Sequence, residues 1–175
     1  SDAVKAVWLR LHEREVEVLG AASFRLRDLG TPADDPDALA QAATARLVAA
    51  GLRQRPVFAG LSSTQVFCRC LFATSASLPD RLEEEVRRAT GCGLAAFAWD
   101  ARPLALPSCP DDATVHLAAA TRRDLLDARA AALAAGGLSL DGFCPAAVAL
   151  FGLARHSLEA DPRGTTVLLD IGAEK

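Results

Sequence analysis

A chain of 175 residues, 51% of them hydrophobic, can fill one ordinary core or two small ones, so a soluble globular protein is expected. A net charge of -3 and a pI near 5.6 leave no basic face, which excludes a nucleic-acid partner. The alanine-rich stretches are broken by Arg, Asp or Glu, so no run of about 18 uncharged apolar residues exists and no membrane insertion is expected.

The N-terminus SDAVKAVWLRLHERE carries early charges and no apolar stretch of a secretory signal, which predicts a cytoplasmic protein. Methionine is absent, so Ser1 is not expected to be the natural start, and both ends are expected to be cuts. VKAVWLRL (4–11) and EVEVLGAASFRL (15–26) alternate as the strands of a hairpin. Asp35 then stands at an N-cap position and Pro36 at the first helical position. Leu39, Ala43, Leu47 and Ala50 follow at helical spacing until Gly51 ends the element. PVFAGL (56–61) reads as a short buried strand.

STQVFCRCLF (63–72) alternates like a strand, and SLPDRLEEEVRRATGCG (77–93) predicts a helix with a capping box from Ser77 to Asp80. Glu83 with Arg87 and Glu84 with Arg88 form i,i+4 pairs on what reads as a solvated face. AAFAWDARPL (95–104) and ATVHLAAA (113–120) are two further strands. TRRDLLDARAAALAAGG opens on a second capping box, Thr121 to Asp124, and ends at Gly136 and Gly137, which cap a helix rather than precede one as a phosphate loop would. LSLDGF (138–143) predicts a strand, CPAAVALFGLARH a helix and TTVLLDIG a final buried strand. Strands before, between and after helices make the fold class α/β.

These segments in this order resemble the type IV pilus assembly protein PilM family, relatives of the cell-division protein FtsA. The most specific parts are AAATRRDLLDARAAALAAGGLSLDG and the terminal LLDIGAEK. The resemblance implies an actin-like (ribonuclease H-like) lobe with an inserted small α+β subdomain. Residues 1–61 and 143–175 would form the outer unit, truncated at both ends, and 62–142 the insertion. It implies a nucleotide cleft in the intact protein, with ATP and Mg as cofactors and none bound in this fragment.

Asp170, Ile171 and Gly172 match the second phosphate loop of such proteins, and Ser1, Asp2 and Ala3 match the small residues after the first. An Asp-Ile-Gly turn is expected shortly upstream of Ser1 and a Thr soon after Lys175, and the two termini are expected to lie close together. An Asp-x-Gly turn after a strand suits this chemistry: the carboxylate of Asp170 can hold a metal ion, and Gly172 lets backbone N–H groups approach a phosphate. On the tripeptide alone, a plain strand end with a glycine turn is the competing reading. The implied partner is the N-terminal peptide of a PilN-like inner-membrane protein, held in a groove between the two units, with the protein peripheral to the inner membrane. This makes it a scaffold; an active ATPase, an FtsA-like protein, a type II secretion platform domain and a peptide-binding domain without nucleotide chemistry are the alternatives.

Other candidates have plainer readings. Cys68 and Cys70 share one face of a strand but lack the turn that lets two thiolates converge on zinc, so buried small hydrophobes are expected. The odd set of five cysteines fits reduced thiols. His12, His116 and His156 are scattered, and a Cys68–His116 nucleophile and base would need the fold to bring them together. Trp8 and Trp99 read as packing residues.

Overall fold

The computed structural model of the protein describes residues 3–12, 15–31, 35–52, 56–104 and 114–157. Contacts divide the chain into two compact units: unit one runs up to Phe58 and includes Ala128–Gly142, and unit two comprises Ala59–Asp127 and the chain from Phe143.

Unit one starts with β1 (Ala3–His12) and β2 (Glu15–Arg25), an antiparallel ribbon with Val4 opposite Phe24 and Leu11 opposite Val16. The register shifts between Trp8, opposite Gly20, and Leu9, opposite Val18, so Leu19 is the extra residue of a bulge. Val4, Ala6, Ala22 and Phe24 pack on Ala43 and Leu47 of α1 (Pro36–Ala49), together with Leu133 and Leu138. α1 begins as expected: the Asp35 carboxylate accepts the Ala38 N–H at 2.9 Å and Pro36 occupies the first turn.

The opposite face of the ribbon has no such cover among the described residues. Val7, Leu9, Leu11, Val16 and Val18 are 47–77% exposed there. α3 (Arg123–Ala135) contributes most of its length to unit one and ends at Gly137, where φ is 90° and the Leu138 N–H reaches the Leu133 carbonyl at 2.9 Å. A Cβ on Gly136 would overlap the side chain of Thr44, which is fully buried in α1 and donates its hydroxyl to the Ala40 carbonyl. Glycine is therefore required there for close packing.

Unit two is built on an antiparallel sheet of β4 (Phe67–Ala73), β5 (Phe97–Leu104) and β6 (Thr114–Arg122), in the order β4-β6-β5. Its second residue set, Leu71, Ala73, Phe97, Ala118 and Ala120, meets Leu78, Leu82 and Val86 of α2 (Leu78–Thr90). Leu82 and Val86 are completely buried, so this apolar stripe is the main cohesion of the unit. The predicted α2 pairs form: Arg87 bonds Glu83, and Arg88 reaches Glu84 at 3.1 Å. Two short strands, β3 (Phe58–Leu61) and β7 (Gly142–Pro145), pair with each other, and α4 (Ala146–Ser157) follows β7. Val57 and Asp141 fix the start of that pairing, each donating its N–H to the other at 2.8 Å.

Several boundaries differ from the sequence reading. Residues 63–65 form a turn, with the Gln65 N–H on the Ser62 carbonyl, so β4 starts at Phe67. Neither capping box forms. Ser77 is the N-cap of α2 with an αR backbone, but its hydroxyl takes the Thr74 N–H at 3.1 Å, while Thr121 lies inside β6 and donates to the Gln65 carbonyl at 2.7 Å. The strand expected at 138–143 sits at Gly142–Pro145, because the helix cap consumes Leu138. In β3 only Leu61 is buried and Phe58 is 61% exposed.

Candidate functional site

Unit two contains a cavity of about 520 Å³ against the sheet face turned away from α2. Alternation produces this face. The register places Ala98 opposite Thr121, Asp100 opposite Ala119 and Arg102 opposite Leu117, all with side chains on one side. Ala98 and Ala119 are small and leave room above the sheet, and Leu104 and Leu117 extend the apolar floor. The facing wall comes from β7 and α4: Phe143, Cys144 and Pro145, then Val148 and Phe151, which share a helix side at i,i+3 spacing.

The polar groups are few. Thr121 lines the cavity but spends its hydroxyl on Gln65. Asp100 and Arg102 sit at the mouth, 3.2 Å apart, with side chains 71% and 80% exposed. Such an exposed pair contributes at most about 1 kcal/mol to folding, so its chemistry is available to a ligand. An apolar concavity whose described rim carries the Asp100–Arg102 pair suits a short, mostly apolar segment.

The Cys68–His116 pair considered from the sequence does not assemble. Cys68 lies opposite Ala119, on the cavity side of the sheet, and His116 lies opposite Leu71, on the α2 side. The two cannot act as nucleophile and base. Burial raises the Cys68 thiol pKa, the neighbouring Cys70 adds to the rise and Arg69 opposes it, so the thiolate is scarce at neutral pH. Cys68 is half-buried and Cys70 exposed, which corrects the expectation that both are buried. His116 is 6% exposed and neither ring nitrogen has a hydrogen-bond partner. Among the described residues no cluster of three or more His, Cys, Asp or Glu could hold a metal ion.

Of the residues expected at the nucleotide site, Ala3 opens β1 opposite Arg25. Asp170, Ile171 and Gly172 lie outside the described residues, as do Ser1 and Lys175. The cavity residues were not foreseen in the sequence. The available signal was the alternation of small and apolar residues in FAWDARPL and VHLAAAT, facing the Val148–Phe151 stripe.

The described elements define a mixed α/β protein of small sheets and four helices. No protein-family model and no curated protein matches the chain. Its fold is similar to a chain of the solved PilM-PilN type IV pilus biogenesis complex, with a TM-score of 0.59, 22% identity and 83% of this chain covered. The match spans 43% of that chain, less than half its length. The resemblance read from the sequence is therefore borne out at the level of the fold. No helix among the described residues is long and apolar enough to cross a membrane.

Proposed function

We propose that this chain is part of a PilM-like component of a type IV pilus assembly platform, and that the unit-two cavity holds a short apolar segment of a PilN-like inner-membrane protein. The observation that carries this reading is the cavity itself: about 520 Å³, walled by β5 and β6 on one side and by β7 and α4 on the other, in a chain whose fold is similar to that of a chain in a PilM-PilN complex. Its size lies in the roughly 300–1,000 Å³ range of ligand sites. The walls come mainly from 98–104, 117–126 and 143–151, on either side of the 142/143 division drawn from the sequence between outer unit and insertion.

In this reading the protein is a scaffold that sits beneath the inner membrane through its partner. Its actin-like character, and the ATP and Mg that Asp170, Gly172 and the backbone at Ala3 would help to hold, belong to the same proposal. A bound Mg-nucleotide would supply a charged bridge across a cleft. Here Asp170 would act as an acceptor for the ion's water shell, while Gly172 would keep the approach to phosphate open.

Calorimetric titration with the N-terminal peptide of a PilN protein tests the partner assignment. Binding by the wild-type chain, weakened at least about tenfold by Val148→Glu, is the expected result, because the new carboxylate would be desolvated against the apolar wall. Equal affinity of wild type and a folded Val148→Glu variant would contradict it.

A further inference from the structure

The cavity floor includes β5, which is an edge strand among the described residues because β6 takes the centre of the sheet. An open edge beside an apolar pocket is the usual setting for strand addition, in which a ligand's main chain pairs with the edge. The outward-facing groups of β5 argue otherwise. In an antiparallel strand the N–H and C=O of one residue point to the same side, and the side alternates along the chain. Residues 99, 101 and 103 therefore form one set.

Pro103, opposite His116, has no N–H to give to either neighbour. The Ala101 N–H is already taken by the Asp100 carboxylate at 2.8 Å. At the start of the strand, the Phe97 carbonyl accepts from the Arg123 guanidinium at 3.1 Å. Asp100 is itself held in place from Arg102 at 3.2 Å. The Trp99 N–H is left as the single donor among 99, 101 and 103 without such a block, and carbonyls with one donor do not make a full ladder.

We propose that the β5 edge is closed to strand addition by Asp100, Pro103 and Arg123, so that the cavity selects its occupant by apolar side chains laid on the sheet face. Asp100 and Pro103 are then specificity residues that act by refusing main-chain pairing. This rests on the functional reading above for the identity of the occupant, but the closure of the edge does not.

Two measurements separate the two claims. The first is residue-resolved amide hydrogen exchange by NMR on the protein without ligand. The Ala101 amide should exchange at least about tenfold faster in Asp100→Ala than in wild type, since the variant removes its acceptor. An unchanged rate in a folded variant overturns the closure.

The second uses the N-terminal PilN peptide in plain form and with every second backbone nitrogen methylated, in both registers. Both methylated forms should bind wild type within about threefold of the plain peptide, whereas truncating its large apolar side chains to alanine should cost at least about tenfold. Loss of binding on methylation in one register, with truncation neutral, overturns side-chain selection. The double variant Asp100→Ala, Pro103→Val should become sensitive to methylation in one register, and a variant as indifferent as wild type also counts against the proposal. If no form of the peptide binds, the partner assignment fails while the exchange result still decides the edge.

Discussion

The β1–β2 ribbon of unit one and the β4-β6-β5 sheet of unit two come from similarly alternating sequences, yet they dispose of their apolar side chains differently. The sheet buries Leu71, Ala73, Phe97, Ala118 and Ala120 of one face against α2, with Leu82 and Val86 inaccessible, and lines a cavity with part of the other face. The ribbon buries Phe24 and half-buries Val4, Ala6 and Ala22 on one side. On the other it leaves Val7, Leu9, Leu11, Val16 and Val18 open among the described residues. Apolar exposure alone is therefore a poor guide to a site; a recess with a rim of polar groups is a better one.

Substitutions can break or sharpen this contrast. Leu82→Ala removes the buried anchor between α2 and the sheet and should cost about 2–5 kcal/mol, read from the urea midpoint. Gly136→Ala probes the tight part of unit one. Overlap with Thr44 should destabilise by about 1–3 kcal/mol, and a neutral result would mean that α1 and the end of α3 are not in close contact. On the open face, Leu11→Ser should stay within about 0.5 kcal/mol, because Leu11 is 77% exposed; a larger loss would show that the face is covered in solution.

The smallest effect concerns Cys68. Its pKa is raised in the folded state, so its contribution to stability is full below the unfolded value of 9.0 and is lost as the pH rises through the higher folded value. Iodoacetamide at pH 8 should accordingly label Cys70 faster than Cys68, with peptide mass spectrometry as the readout.

What could be read from the sequence follows the range of the interactions. The hairpin, the Asp35–Pro36 start of α1, the ion-paired face of α2 and the Gly137 cap depend on residues within a few positions of one another, and each forms as expected. The capping boxes failed because a long-range or competing local partner intervened: Gln65 claimed the Thr121 hydroxyl across 56 residues, and Thr74 claimed that of Ser77. The cavity was illegible for the same reason. Its walls are three strands and a helix separated along the chain, and only the register Asp100–Ala119 and Arg102–Leu117 reveals which side chains share the floor. The order of elements, by contrast, carried the PilM-like resemblance, and the fold agrees with it over 83% of the chain.

Hydrogen exchange of the protein with and without the N-terminal PilN peptide sets the two apolar surfaces directly against each other. Slowed exchange in 98–104, 117–121 and 143–151, with 7–18 unchanged, is the result expected if the cavity is the partner site. Protection confined to 7–18 would transfer that role to the open ribbon and contradict the account.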